Sequence, residues 1–239
     1  MNSQRSKVAV ITGASQGIGA CLVNAYRRLG YGVVATSRTI PEAEEPDVHT
    51  VRGDIADPAT AERVLDAGVR RFGRIDTLVN NAGLFLAKPF TDYTRAEFDS
   101  VVGVNVAGFF HVTRLAVPHM LAVGGGHIVT ITSSLVDNAD ARVPSVLTSL
   151  TKGGLQSATK SLAIEYATRG IRVNAVSPGV VRTPMHSEED HAALGGLLPV
   201  GRMGEPADIV DAVIYLENAP FVTGEILHVD GGQSAGHRA

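Results

Sequence analysis

The chain has 239 residues, 44% of them hydrophobic and 19% charged, with a formal net charge of -3. That length suits one large α/β domain spanning residues 1–239, and the composition is that of a soluble globule and not of a disordered or fibrous chain. The mild negative balance gives no electrostatic reason to expect nucleic acid or an anionic membrane as a partner, and the single cysteine, Cys21, cannot form an internal disulfide.

Residues 1–6 are polar and run straight into a strand pattern, with neither a signal core nor a transit helix. No apolar run reaches the roughly 18 residues that span a bilayer. A cytoplasmic location is expected, and no Cys/His cluster has zinc spacing, so no metal is expected. Short β-branched runs then alternate with longer helical patterns. Strands are predicted at 8–12, 32–36, 48–51, 77–80, 127–131, 172–176 and 225–229, and helices at 17–29, 58–72, 95–120 with a break near 103–108, 148–168 and 206–218. This alternation predicts a Rossmann-like, doubly wound parallel sheet of about seven strands with helices on both faces. Residues 184–202 carry no strand pattern; Gly195-Gly196 and two histidines there suggest a substrate-side flap, the alternative being a plain surface loop.

Directly after the first strand, Thr12-Gly13-Ala14-Ser15-Gln16-Gly17-Ile18-Gly19 opens into a helix. Glycines let the backbone turn sharply and approach a pyrophosphate, while the helix N-terminus supplies N–H groups and the positive end of a dipole. The alternative is a glycine-rich connection without a ligand. At the end of the second strand an acidic residue would bind the hydroxyls of an NAD ribose and repel a 2′-phosphate, but this chain has Ser37-Arg38. A guanidinium grips a phosphate, so NADP(H) is favoured over NAD(H); the alternative is a solvated loop arginine.

The spacing Thr-Gly-x-x-x-Gly-x-Gly resembles that of the classical short-chain dehydrogenase/reductase family. Asn80-Asn81-Ala82-Gly83, Asn105, Ser133-Ser134 and Pro178-Gly179-Val180-Val181-Arg182-Thr183 follow in the family's order, from about Lys7 to Gly232. The resemblance implies a cofactor site made of Gly13, Ser15, Gln16, Gly17, Ile18, Gly19, Ser37, Arg38, Asp54, Ile55, Asn81, Ala82, Gly83, Lys152, Pro178, Gly179, Val181 and Thr183. In it, Asp54 and Ile55 lie near the adenine and Thr183 near the nicotinamide amide. The resemblance also implies hydride transfer to or from a small carbonyl or alcohol. A homotetramer is implied too, with the helices around Asn105 and Thr148 pairing with symmetry mates and residues 224–232 forming a second contact.

The family's proton donor is a Tyr four residues before a Lys, on one helix face. Reading back from Lys152, that position holds Thr148, and none of the five tyrosines, Tyr26, Tyr31, Tyr93, Tyr166 and Tyr215, stands there. The catalytic set is therefore read as Ser134, Asn105, Lys152 and Thr148. A phenol near pKa about 10 can be brought to neutral pH by a cation, whereas an aliphatic alcohol starts higher, and general acid–base help is worth roughly 10²- to 10⁴-fold. Candidate substitutes are Lys152 through a water, Ser134 paired with Thr148, or His186 and His191 of the flap. Two functions follow: an NADP(H)-dependent oxidoreductase with a non-standard proton donor, or a catalytically silent dinucleotide-binding sensor or scaffold. Asp137, Asp140 and Arg142 are read as facing a polar ligand or solvent, and Cys21 as a small buried apolar group or a thiol tuned by the helix dipole.

Overall fold

A run such as Val8-Ala9-Val10-Ile11-Thr12 presents apolar side chains on both faces, and a strand of that kind needs helices above and below it. The computed structural model, which describes residues 6–185, 191–196 and 198–236, has this arrangement. Among the described residues, β1 (Val8–Thr12), β2 (Gly32–Ser37), β3 (Val48–Arg52), β4 (Thr77–Asn80), β5 (Gly126–Ile131), β6 (Ile171–Pro178) and β7 (Ile226–Val229) form one sheet in the order β3-β2-β1-β4-β5-β6-β7. Every neighbouring pair is parallel. The predicted strands all form, with ends within two residues of the expected ones.

Alternation along β1 divides the core in two. Ala9 and Ile11 pack with Leu22 and Tyr26 of α1 (Gly17–Arg28) and with Ile209 and Val213 of α7 (Pro206–Asn218). Val8 and Val10 face the other layer, where Val64 and Leu65 of α2 (Pro58–Phe72) meet Val112 and Met120 of α4 (Phe109–Ala122) and Ala163 of α5 (Val146–Tyr166). Local chemistry sets the helix ends. Asp57 accepts from Ala59 N at 3.0 Å before Pro58, and Gly73, at φ 82°, closes α2 in the left-handed conformation.

The predicted break at 103–108 is a π-helical stretch, Gly103–Gly108, between α3 (Arg95–Val102) and α4, and the helix runs through it. A Cβ on Gly108 would come within 2.8 Å of Ile55 Cγ2, so glycine lets the helix lie against the loop after β3. The whole helix Arg95–Ala122 has the length and mean hydropathy of a membrane span although charged residues interrupt it, and α4 buries Val112, Ala116 and Met120 against the sheet. Within residues 184–202, His191–Gly196 form a short helix, α6, where no element was predicted.

Candidate active site

The strand order reverses between β1 and β4, and an open α/β sheet has its crevice there, at the carboxyl ends of the strands. Gly13 (φ 66°) and Gly17 (φ 53°) make the turn out of β1 in a conformation that side chains resist. A Cβ at Gly13 would meet Ala82 Cα at 2.8 Å, and one at Gly19 would meet Asn81 Nδ2 at 2.6 Å. That closeness is held by hydrogen bonds. Asn81 Nδ2 donates to Thr12 O (2.9 Å) and Gly13 O (3.0 Å), and Thr12 Oγ1 accepts from the main-chain N–H groups of Asn81 (3.1 Å) and Ala82 (3.0 Å). Sequence reading missed Thr12 as the clamp, although its place at the end of the first strand was visible. The N-cap residue Gln16 makes no side-chain cap and the first turn of α1 carries no acidic residue, so the dipole's positive end is open to an anion.

From this turn a cavity of about 590 Å³ runs along the strand ends. All eighteen residues expected to hold the cofactor line it, from Gly13 and Ser15 through Ser37, Arg38, Asp54 and Ile55 to Asn81, Lys152, Pro178 and Thr183. At the far end of β2, Arg52 Nε donates to Arg38 O at 2.8 Å, fixing the backbone that carries the exposed Arg38 side chain. The donor set fits a dinucleotide: a cradle that any Cβ would fill, a bare helix N-terminus, and a guanidinium at one end.

The lining also includes the apolar Leu84, Phe85, Val143, Met185 and Leu194 and the polar Thr132, Ser133, Ser134, Thr148, Lys152 and Gln233. Lys152 Nζ donates to Ile131 O at 2.7 Å, and burial lowers its ammonium pKa to about 8. Thr148, only 2% exposed, sits one turn before Lys152 on α5, and its Oγ1 has no hydrogen-bond partner among the described residues. Ser134 Oγ donates to Gln233 Oε1 at 2.9 Å. Gln233 was missed by sequence reasoning. Only the glycine pair Gly231-Gly232, a tight return after β7, hinted at it.

Asn105 does not line the cavity. It lies buried behind Gly83, where Oδ1 accepts from Leu84 N (2.8 Å) and Nδ2 donates to Leu84 O (3.1 Å) and to Thr151 Oγ1 (3.1 Å), a second partner the sequence did not reveal. Among the described residues no tyrosine lines the cavity: Tyr93 donates to Leu86 O, and Tyr26 and Tyr31 bond Glu217. Asp140 pairs with Arg142, and Asp137 meets His228 and Gln156, all away from the cavity lining. Cys21 is a half-buried member of the core layer of α1. His186 lies outside the described residues, as does the side chain of His191.

Sheet order and cavity together define a Rossmann-like protein of the dinucleotide-binding class. A family model described as enoyl-(acyl carrier protein) reductase matches residues 13–234. A putative ketoacyl reductase of the granaticin polyketide synthase from Streptomyces violaceoruber is 35% identical, with 97% of each chain covered. The 3-oxoacyl-[acyl-carrier-protein] reductase FabG of Thermotoga maritima is 32% identical over 95% of this chain and 97% of its own. Among solved structures, a 3-ketoacyl-(acyl-carrier-protein) reductase from Brucella melitensis complexed with NADH superposes with a TM-score of 0.88 at 33% identity, covering 97% of this chain and 100% of that one. ElxO with NADP bound superposes with a TM-score of 0.89 at 28% identity and the same coverage. The chain belongs to the short-chain dehydrogenase/reductase family of oxidoreductases.

Proposed function

We propose that this protein is an NADP(H)-dependent oxidoreductase acting on a small, mostly apolar carbonyl or alcohol, with Lys152 and Thr148 serving where the family uses a phenol. The observation that carries the reading is the single cavity that joins the glycine turn and Arg38 to Ser134, Thr148 and Lys152. A bound nicotinamide dinucleotide would supply or accept the hydride. The first turn of α1 would hold its pyrophosphate, and Arg38, over Ser37, would hold a 2′-phosphate. The preference for NADP(H) rests on that arginine, since relatives of this fold are known with NADP and with NADH.

For the proton, a Lys152 ammonium brought down to about 8 by burial can donate near neutral pH through a bridging water, and the Thr148 hydroxyl one turn away, without a partner among the described residues, can join that relay to the substrate oxygen. Ser134 would orient that oxygen. Asn105 would act from behind, through Leu84 and Thr151. The apolar wall favours an uncharged substrate body. Exposed Val106, Phe110 and Leu150 on neighbouring helices support a homo-oligomer, a tetramer by family likeness, and the free Cys21 suits a cytoplasmic location.

The test is a calorimetric titration with NADPH and NADH, followed by a neutral carbonyl panel assayed with the wild type and Thr148→Tyr. The expected result is tighter NADPH binding, slow turnover in the wild type, and a gain of roughly 10²- to 10⁴-fold in Thr148→Tyr. Binding with turnover only in the variant would move the protein to a silent sensor or scaffold. Failure of both nucleotides to bind would remove the oxidoreductase reading.

A further inference from the structure

Of the polar side chains around Ser134, Gln233 is the one whose neighbours are built to hold it still. Asp230 accepts from Gly232 N (2.9 Å) and Ser234 N (2.8 Å), folding the segment after β7 into a tight turn through Gly231 (φ 62°) and Gly232 (φ 89°). Asn138 Nδ2 then donates to Gln233 O at 2.7 Å, pinning this turn to the loop that carries Ser134. The side chain, 6% exposed, reaches the cavity wall, receives the Ser134 hydroxyl at 2.9 Å, and finds no partner for its amide N–H groups among the described residues.

The chemistry of this pair is particular. A serine hydroxyl has one hydrogen, and when that hydrogen goes to Gln233 Oε1, Ser134 offers the cavity lone pairs only. A carboxamide can turn over and present its NH₂ to Ser134 instead, which releases the serine hydrogen toward the cavity. An alcohol brings a donor and wants the first arrangement. A carbonyl brings an acceptor and wants the second.

We propose that Gln233 is a positioning residue that sets the direction of the Ser134 hydroxyl, letting one site bind both the carbonyl and the alcohol form of the substrate. The inference rests on the oxidoreductase reading above. It predicts that a side chain able only to accept hydrogen bonds at 233 will keep the alcohol and lose the carbonyl.

The experiment uses dead-end complexes, so no turnover is needed. The full-length protein saturated with NADP⁺ is titrated calorimetrically with cyclohexanone, and the protein saturated with NADPH with cyclohexanol, for the wild type, Gln233→Glu and Gln233→Met. Gln233→Glu is expected to weaken cyclohexanone about tenfold while cyclohexanol stays within about twofold, because an ionised carboxylate locks the serine as its donor. Lowering the pH should restore the ketone, since the protonated acid can donate again, a recovery that a purely structural role would not produce. Gln233→Met, which has no donor or acceptor of comparable strength, should weaken both ligands and show no such recovery. Equal losses of ketone and alcohol in Gln233→Glu, or a ketone affinity that ignores pH, would overturn the assignment. So would a dinucleotide-loaded wild type that binds neither probe. Loss of dinucleotide binding in the wild type itself is the separate failure that removes the oxidoreductase reading and this inference with it.

Discussion

Two polar clusters lie at opposite ends of the same sheet and differ in how their atoms are satisfied. At the amino ends of the strands, the buried Glu217 carboxylate accepts from Tyr26 Oη (3.1 Å), Tyr31 Oη (2.9 Å), Thr77 Oγ1 (3.1 Å) and His127 Nδ1 (3.0 Å). Burial pushes Glu217 up, but the bonds from His127, Tyr31 and Tyr26 outweigh it and hold the carboxyl down at about 2. Burial keeps His127 neutral, and its Nε2 accepts from Asn174 Nδ2 at 3.1 Å, so Nδ1 carries the hydrogen that Glu217 receives. At the carboxyl ends, Thr148 Oγ1 and the Gln233 amide N–H groups have no partner among the described residues. Closed polar networks hold a fold together, whereas open ones keep hydrogen-bonding capacity for something that arrives later.

The contrast can be broken first at its closed end. Glu217→Ala strands four donors in a buried site and should cost roughly 3–5 kcal/mol in chemical denaturation, with NADPH affinity of the folded protein unchanged. The wild type should lose the same support in acid. Its contribution is present above the unfolded carboxyl pKa of about 4.3 and disappears as the pH falls towards about 2, which an acid-unfolding curve reads directly.

The open end sharpens the comparison through smaller effects. Lys152 is an ammonium below about pH 8. If it supplies the proton, carbonyl reduction by the wild type should fall about tenfold per pH unit above that value, while alcohol oxidation rises into the same range. Thr148→Tyr should carry the fall to a different pH, because the donor is then a phenol. Thr148→Val should raise stability by about 1 kcal/mol, since it replaces an unpartnered buried hydroxyl with a methyl group; a loss of stability instead would mean that the hydroxyl is satisfied in solution.

The sheet was legible because each strand announces itself locally: continuous β-branched runs have few other homes, and Pro58 and Pro206 mark helix starts by their missing N–H. The glycine turn and Arg38 were legible for a similar reason, since their meaning depends on position after a strand. Gln233 was not, because it meets Ser134 across 99 residues of chain and only the packing of the two turns brings them together. Asn105 was legible as a residue but not as to where it faces. The π turn at Gly103–Gly108 and the glycine contact with Ile55 decide that it sits behind the wall and not on it. Thr148 reads the same way in the sequence and the structure: an alcohol at the polar end of the cavity, one turn before Lys152.

The clamp between Asn81 and the turn after β1 also sets a timetable. During synthesis, Gly13 emerges long before Asn81, and Ser134 long before Gln233, so the early-made half of each pair must wait for a late-made partner. The glycine turn takes its final shape only once β4 has docked beside β1, and the Ser134 end of the cavity closes only after the segment beyond β7 folds back. A nascent chain therefore has no completed cavity to offer a ligand until β7 and the turn that carries Gln233 have been made.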